Sequence, residues 1–99
     1  SNSMSIKVSV EFSLQAGKQK KFLDVLGNVL SDTRAYYGCI KVETYAGDNG
    51  SSIILIEECG SKEQQQAYFQ WRVDTGIIDA IGPFISAPTG VKYYAIRSE

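Results

Sequence analysis

The chain contains no histidine. This excludes the Ser-His-Asp and Cys-His systems, in which an imidazole takes the nucleophile's proton. It also removes the commonest zinc ligand, and no group of acidic residues has a spacing that would fix a metal. Cysteine is nearly as scarce. Cys39 and Cys59 are the two present, too few for a disulfide framework, so a reducing cytoplasm is the expected setting. Neither sign of charge dominates. Ten Lys and Arg face eleven Asp and Glu, and the densest basic cluster, Lys18, Lys20 and Lys21, is short of the basic face that nucleic acid needs. No apolar run approaches the roughly 20 residues of a membrane span, and no signal-peptide pattern is seen. Ser1-Asn2-Ser3 ahead of Met4 reads as an expression remnant, so one domain is expected over residues 4–99. With 99 residues and 43% hydrophobic content, that domain has an ordinary globular composition. Its size leaves it marginal in isolation, and association would help it.

What is present is strongly patterned. Ile6, Val8, Val10, Phe12 and Leu14 alternate with Lys7, Ser9, Glu11 and Ser13, the period of two that marks a strand. After Gly17, the residues Phe22, Val25, Leu26, Val29 and Leu30 form one stripe of a helix running to about Arg34. Cys39–Ala46 reads as a second strand. Gly47-Asp48-Asn49-Gly50 reads as a hairpin turn, and Ser52–Cys59 as a third strand. Ser61-Lys62-Glu63-Gln64 has the form of a capping box and opens a second helix to about Thr75, with Gly76 placed to cap it. Ile77–Ile85 suits a short further helix with Pro83 near its end or in a break, and Val91–Arg97 a fourth strand. The order is βαββαβ. Right-handed crossovers then give a ferredoxin-like α+β fold: a four-stranded antiparallel sheet, strands one and three central, both helices on one face.

The third strand carries a second implication. A central strand covered on one side should alternate, yet Ile53-Ile54-Leu55-Ile56 is apolar on both faces. A second copy of the chain is the economical cover, and a homodimer is expected. The alternatives are isoleucines left exposed or a C-terminal segment folded across them.

Several residues could carry chemistry. Tyr68, Trp71 and Arg72 lie three and four apart on helix two. They read either as core aromatics beside a surface charge, or as a pocket of flat rings with a phenol and a guanidinium at its mouth, suited to a planar, weakly acidic ligand. Arg34 falls in the last turn of helix one, where a cation suits the helix dipole. Tyr36 and Tyr37 follow it in a connection where adjacent tyrosines are unexpected, and one of them is expected to reach a ligand cavity or the partner subunit. Glu11, with Ser9, is polar on a central strand. Buried by a dimer, Glu11 would be suited to acid–base work. Glu57 and Glu58 raise the same question. The cysteines depend on register. A hairpin centred on Asn49 sets Cys39 opposite Cys59, whereas a two-residue Asn49-Gly50 turn sets Cys39 opposite Gly60. Two buried, inert thiols are the simplest outcome.

Taken together, residues 6–97 resemble the antibiotic biosynthesis monooxygenase family. The carriers are the Val8–Phe12 strand, Gly17-Lys18, Thr33-Arg34 with Gly38-Cys39, Ile54-Leu55-Ile56-Glu57, Ser61 and the Pro83-Phe84 segment. The resemblance implies a dimeric α+β barrel with a pocket in each subunit between sheet and helices. It also implies oxygenation of phenols, anthrones or quinols by O₂ with neither metal nor flavin. There the protein binds the ring, favours its anion and excludes water. Two positions depart from the family pattern: Cys59 stands where many members have tryptophan, and Tyr68 where many have the helix-two histidine. Haem breakdown, which needs that histidine, is not expected.

The leading expectation is therefore a cofactor-free monooxygenase for a small aromatic or quinol-type molecule. Tyr68 and Arg72 would be catalytic, and Trp71, Arg34, Tyr36, Glu11 and Cys59 would contact substrate. The other expectations are a non-catalytic dimeric binder of such a molecule, or an isomerase or cyclase with Glu11 or Glu58 as base.

Overall fold

The computed structural model describes residues 5–35 and 38–99, with the side chains of 32–35, 39 and 40 outside the description. Four strands and two long helices alternate as the sequence pattern requires: β1 (Ile6–Ser13), α1 (Gln19–Ala35), β2 (Cys39–Ala46), β3 (Ser52–Cys59), α2 (Lys62–Asp74), a short α3 (Ile77–Ile81) and β4 (Gly90–Ala95). The sheet is antiparallel in the order β2-β3-β1-β4. This is the ferredoxin-like arrangement with β1 and β3 central.

Alternation decides which face is covered. Val8, Val10 and Phe12 of β1 and Ile53, Leu55 and Cys59 of β3 are buried, and they share one face because side chains alternate along a strand. Phe22, Leu26 and Leu30 of α1 close over that face. Phe22 is wholly buried, its ring 5.1 Å from Phe12 and 6.0 Å from Phe84. Burying a side chain of this size contributes roughly 1.5–3 kcal/mol, so this aromatic cluster anchors α1 to the sheet.

The hairpin resolves the two cysteine registers by using both. From Lys41↔Glu58 to Ala46↔Ile53 the pairing is centred between Asn49 and Gly50. Gly47 N–H donates to the Ser52 carbonyl at 2.9 Å, so the loop between the paired ends spans residues 48–51. A bulge between Cys39 and Lys41 then returns Cys39 to a place opposite Cys59. Next to it Gly38 adopts φ +95°, and a Cβ there would lie 3.0 Å from the Gln64 side chain. Both the left-handed backbone and the close approach require glycine.

Helix α2 begins as expected. Gln64 N–H donates to Ser61 Oγ at 3.0 Å, which satisfies one of the amide groups left over at a helix start. The reciprocal half of a capping box is replaced: the Ser61 hydroxyl donates to Gln64 Oε1 at 3.5 Å. At the other end Gly76 takes φ +100° and leads into α3. Pro83 sits in a 3₁₀ turn, Gly82–Phe84, that follows α3 directly and ends the expected helical stretch. Strand β4 stops at Ala95 rather than Arg97. Its last pair is Ile6↔Ala95, and β1 offers no strand residue before Ile6.

Among the described residues no element covers the second face of the sheet. Ile54 and Ile56 lie on it half-buried, while Tyr45 (51% exposed) and Tyr94 (50%) stand open beside them. Register places Tyr45 opposite Ile54, and Tyr94 opposite Lys7. The residues after β4 do not fold back as a further element.

Candidate functional site

The site grows from α2, a helix of unusual make-up. Its buried residues are Gln65, Tyr68 and Arg72, one stripe at spacings of three and four. A helix that only packed would turn aliphatic residues inward. This one turns an amide, a phenol and a guanidinium toward the sheet. They reach a cavity of about 290 Å³ lying between sheet and helices. Most of the rest of the cavity wall is apolar: Val10, Phe12 and Leu55 from the sheet, with aliphatic residues of α1 and α3; Thr89 lines it as well. Phe69 and Ile78, 45% and 55% exposed, also line it and mark its open side.

Two polar groupings interrupt this wall. The first is the Tyr68–Arg72 couple. Arg72 Nε donates to the Tyr68 hydroxyl at 2.9 Å, and Arg72 Nη2 donates to the Val29 carbonyl of α1 at 2.6 Å. The guanidinium also lies 4.6 Å from the Trp71 ring centroid, a cation–π distance. The couple thus sets a phenol and a guanidinium side by side, as one unit, on the cavity wall.

The second grouping is a buried carboxyl. Glu57 on β3 is 2% exposed, flanked in the sheet by Val8 and Val42. Gln65, itself 2% exposed, is hydrogen-bonded to it. Tyr93 Oη donates to Gln65 Oε1 at 2.8 Å, so it is the Gln65 amide N–H that faces Glu57. Among the described residues, Glu57 Oε1 has no hydrogen-bond partner. Burial pushes the Glu57 carboxyl above its ordinary range, and the Gln65 hydrogen bond offsets part of that rise.

The structure thus brings together Tyr68 and Arg72 as lining residues, with Trp71 stacked behind Arg72 rather than on the cavity wall. Cys59 is fully buried on the same face of the sheet but is not among the lining residues. Glu11 is separated from them. It is exposed and lies on the uncovered face, paired in register with Ile54. Glu58 shares that face and forms an ion pair with Lys7 at 3.3 Å. The Arg34 side chain and Tyr36 lie outside the described residues.

Two groups outside the expected site residues also line the cavity, Glu57 and Gln65. Glu57 was one of an adjacent pair, but the period of two carried from Ile53 and Leu55 turns Glu57 inward and Glu58 outward. Gln65 lies three residues before Tyr68, on the same stripe. Among the described residues no group of three or more metal-ligating side chains occurs, and no helix is long and apolar enough to cross a membrane.

The model of the antibiotic biosynthesis monooxygenase family matches residues 5–72, the span from β1 through Arg72. The chain belongs to that family. A Caulobacter crescentus CB15 protein, provisionally named an antibiotic biosynthesis monooxygenase, superposes with a TM-score of 0.83 at 15% identity, covering 97% of this chain and 92% of the other. A conserved protein from Methanosarcina mazei Go1 gives 0.82 at 14% identity, covering 96% and 95%. Rv0793 from Mycobacterium tuberculosis gives 0.72 at 20% identity, covering 96% and 97%. At these identities the likeness concerns the fold. No curated protein matches the chain. Proteins of this family are typically dimeric.

Proposed function

We propose that this protein is a cofactor-independent monooxygenase for a small phenol or quinol, working as a homodimer. The observation that carries the reading is the apolar cavity with the Tyr68–Arg72 couple set in its wall. An engineered cavity of about 150 Å³ takes one benzene ring. The present 290 Å³ therefore has room for a planar aromatic molecule of more than one ring.

The chemistry follows from what such a wall can do. Phenol-to-quinone conversion by O₂ inserts one oxygen atom into the ring and releases the other as water, with every electron supplied by the substrate. The substrate reacts most readily as its anion, because the anion gives up electrons more easily. Arg72 and the Tyr68 hydroxyl would hold the developing negative charge, and the aliphatic wall would keep water from it. The uncovered sheet face, with Ile54, Ile56, Tyr45 and Tyr94, supplies the surface for a second copy.

The test is oxygen uptake by the purified protein with naphthols and substituted hydroquinones, alongside thermal shift with the same compounds. Uptake together with stabilisation is expected, and Arg72→Met should lose both. Stabilisation without uptake would instead identify a binding protein, a reading that Tyr68 in place of the family's histidine favours. Sedimentation of the same preparation is expected to give twice the chain mass.

A further inference from the structure

Tyr68 and Arg72 can receive an anion, but they are not placed to take a proton from a neutral phenol. A proton acceptor is needed, and one lines the same cavity. We propose that Glu57 is the group that accepts the ligand's hydroxyl proton, so that the site binds the neutral phenol and ionises it in place. This assignment rests on the cavity reading above and deepens it.

Three observations support it. Glu57 is 2% exposed and lines the cavity, yet among the described residues its Oε1 has no hydrogen-bond partner. A buried carboxyl oxygen left unpartnered is costly, and a ligand hydroxyl would satisfy it. Second, the carboxyl has a neighbour that can steady it. Gln65 lies against it, and Tyr93 in turn holds Gln65 at 2.8 Å, the kind of support that helps keep an acid–base group aimed at its target. Third, charge balances. The hydroxyl O–H bond breaks, its electron pair stays on the ligand oxygen, and the proton forms a new O–H bond at Glu57. One negative charge moves from Glu57 to the ligand beside Arg72, and no additional net charge is buried. A preformed anion entering while Glu57 is ionised would place two negative charges in one apolar cavity.

The surroundings leave few rivals for the proton. Glu57 faces Val8 and Val42 in the sheet, and the described cavity residues of α1 and α3 are aliphatic. The other polar groups of the cavity and its support are Gln65, Tyr68 and Arg72 of α2, Thr89 ahead of β4 and Tyr93 of β4, and none of them is a carboxylate. Lys62 lies behind, 4.8 Å from the Tyr93 ring centroid.

The probe is 3-nitrophenol, mostly neutral in water at neutral pH, whose phenolate absorbs at longer wavelength. Binding is followed by thermal shift, ionisation by absorbance, and proton release by calorimetry in two buffers of different ionisation enthalpy. The carboxyl-carbon NMR signal of Glu57 reports its state before and after. The expected result is an ionised Glu57 in the free protein, bound phenolate, a protonated Glu57 in the complex, and no net proton release. Glu57→Gln should still bind the phenol, with the bound phenolate fraction reduced about tenfold or more. Phenolate formed with release of one proton to buffer would overturn the proposal, as would a probe bound only as phenol, or a Glu57 already protonated in the free protein. The wild-type proton count decides the matter even if the variant folds poorly. Absence of any binding would overturn the cavity reading itself, and the proposal with it.

Discussion

The contact most open to quantitative test is the bond between Arg72 Nε and the Tyr68 hydroxyl. It is 2.9 Å long and joins residues 8% and 6% exposed. A hydrogen bond involving a charged partner in such a place is worth about 1.5–3 kcal/mol. Tyr68→Phe removes the acceptor and leaves the guanidinium nitrogen without it, costing about 1–3 kcal/mol. Arg72→Met removes the same bond and the 2.6 Å bond to the Val29 carbonyl, but it also relieves the burial of a cation. The net cost is set at about 2–4 kcal/mol, since a well-placed apolar replacement recovers part of what a buried charge costs. Because one bond is lost in both variants, the two should not add. The double variant is expected to fall short of the sum by about 1.5–3 kcal/mol. The assay is urea denaturation of the four proteins at one fixed chain concentration, because association contributes to apparent stability. For a domain of this size each kcal/mol moves the melting temperature by about 4–8 °C, so heat denaturation gives an independent check. Additivity within about 0.5 kcal/mol would refute the reasoning: the two side chains would then be neighbours without a shared bond, and the claim that they act as one unit would fall.

Glu57→Gln makes a pH-dependent prediction. Burial holds this carboxyl above its ordinary value of 4.5, so the native state keeps the proton to higher pH than the unfolded chain does. Stability therefore falls as pH rises from the unfolded value through the folded one, and stays lowered above it. The Gln variant should be more stable than the wild type at neutral pH, with the gap closing below about 4.5; urea midpoints across pH that widen in the wild type's favour as pH rises would contradict this. Phe22→Ala should cost about 3–5 kcal/mol, read by the same denaturation, because the ring is wholly buried between Phe12 and Phe84. Ile56→Glu places a charge on the uncovered sheet face opposite Ser9 and Glu43. It is expected to give a monomer by sedimentation with an unchanged circular dichroism spectrum, and a dimer that survives the substitution would show that the copies meet elsewhere.

Most of the architecture was legible in the residues themselves, because periodicity is a local property. The alternation from Ile6 to Leu14, the stripe from Phe22 to Leu30 and the Ser61 cap each report the backbone that satisfies them. Element order then leaves few topologies. The site was legible only in part. Tyr68 and Arg72 could be placed on one helix by spacing alone. Glu11 could be named as polar on a central strand, but spacing could not say that the cavity would open on the other face. Which of Glu57 and Glu58 turns inward depends on phase, and the phase was present in Ile53 and Leu55. What no local pattern contains is the meeting of Glu57 with Gln65 and Tyr93, which lie on β3, α2 and β4. Nor does it contain the reach of Arg72 to the Val29 carbonyl 43 residues away. Those contacts form when strands and helices from distant parts of the chain stack into layers. The burial that raises the Glu57 carboxyl and the cavity it faces are created by that packing alone.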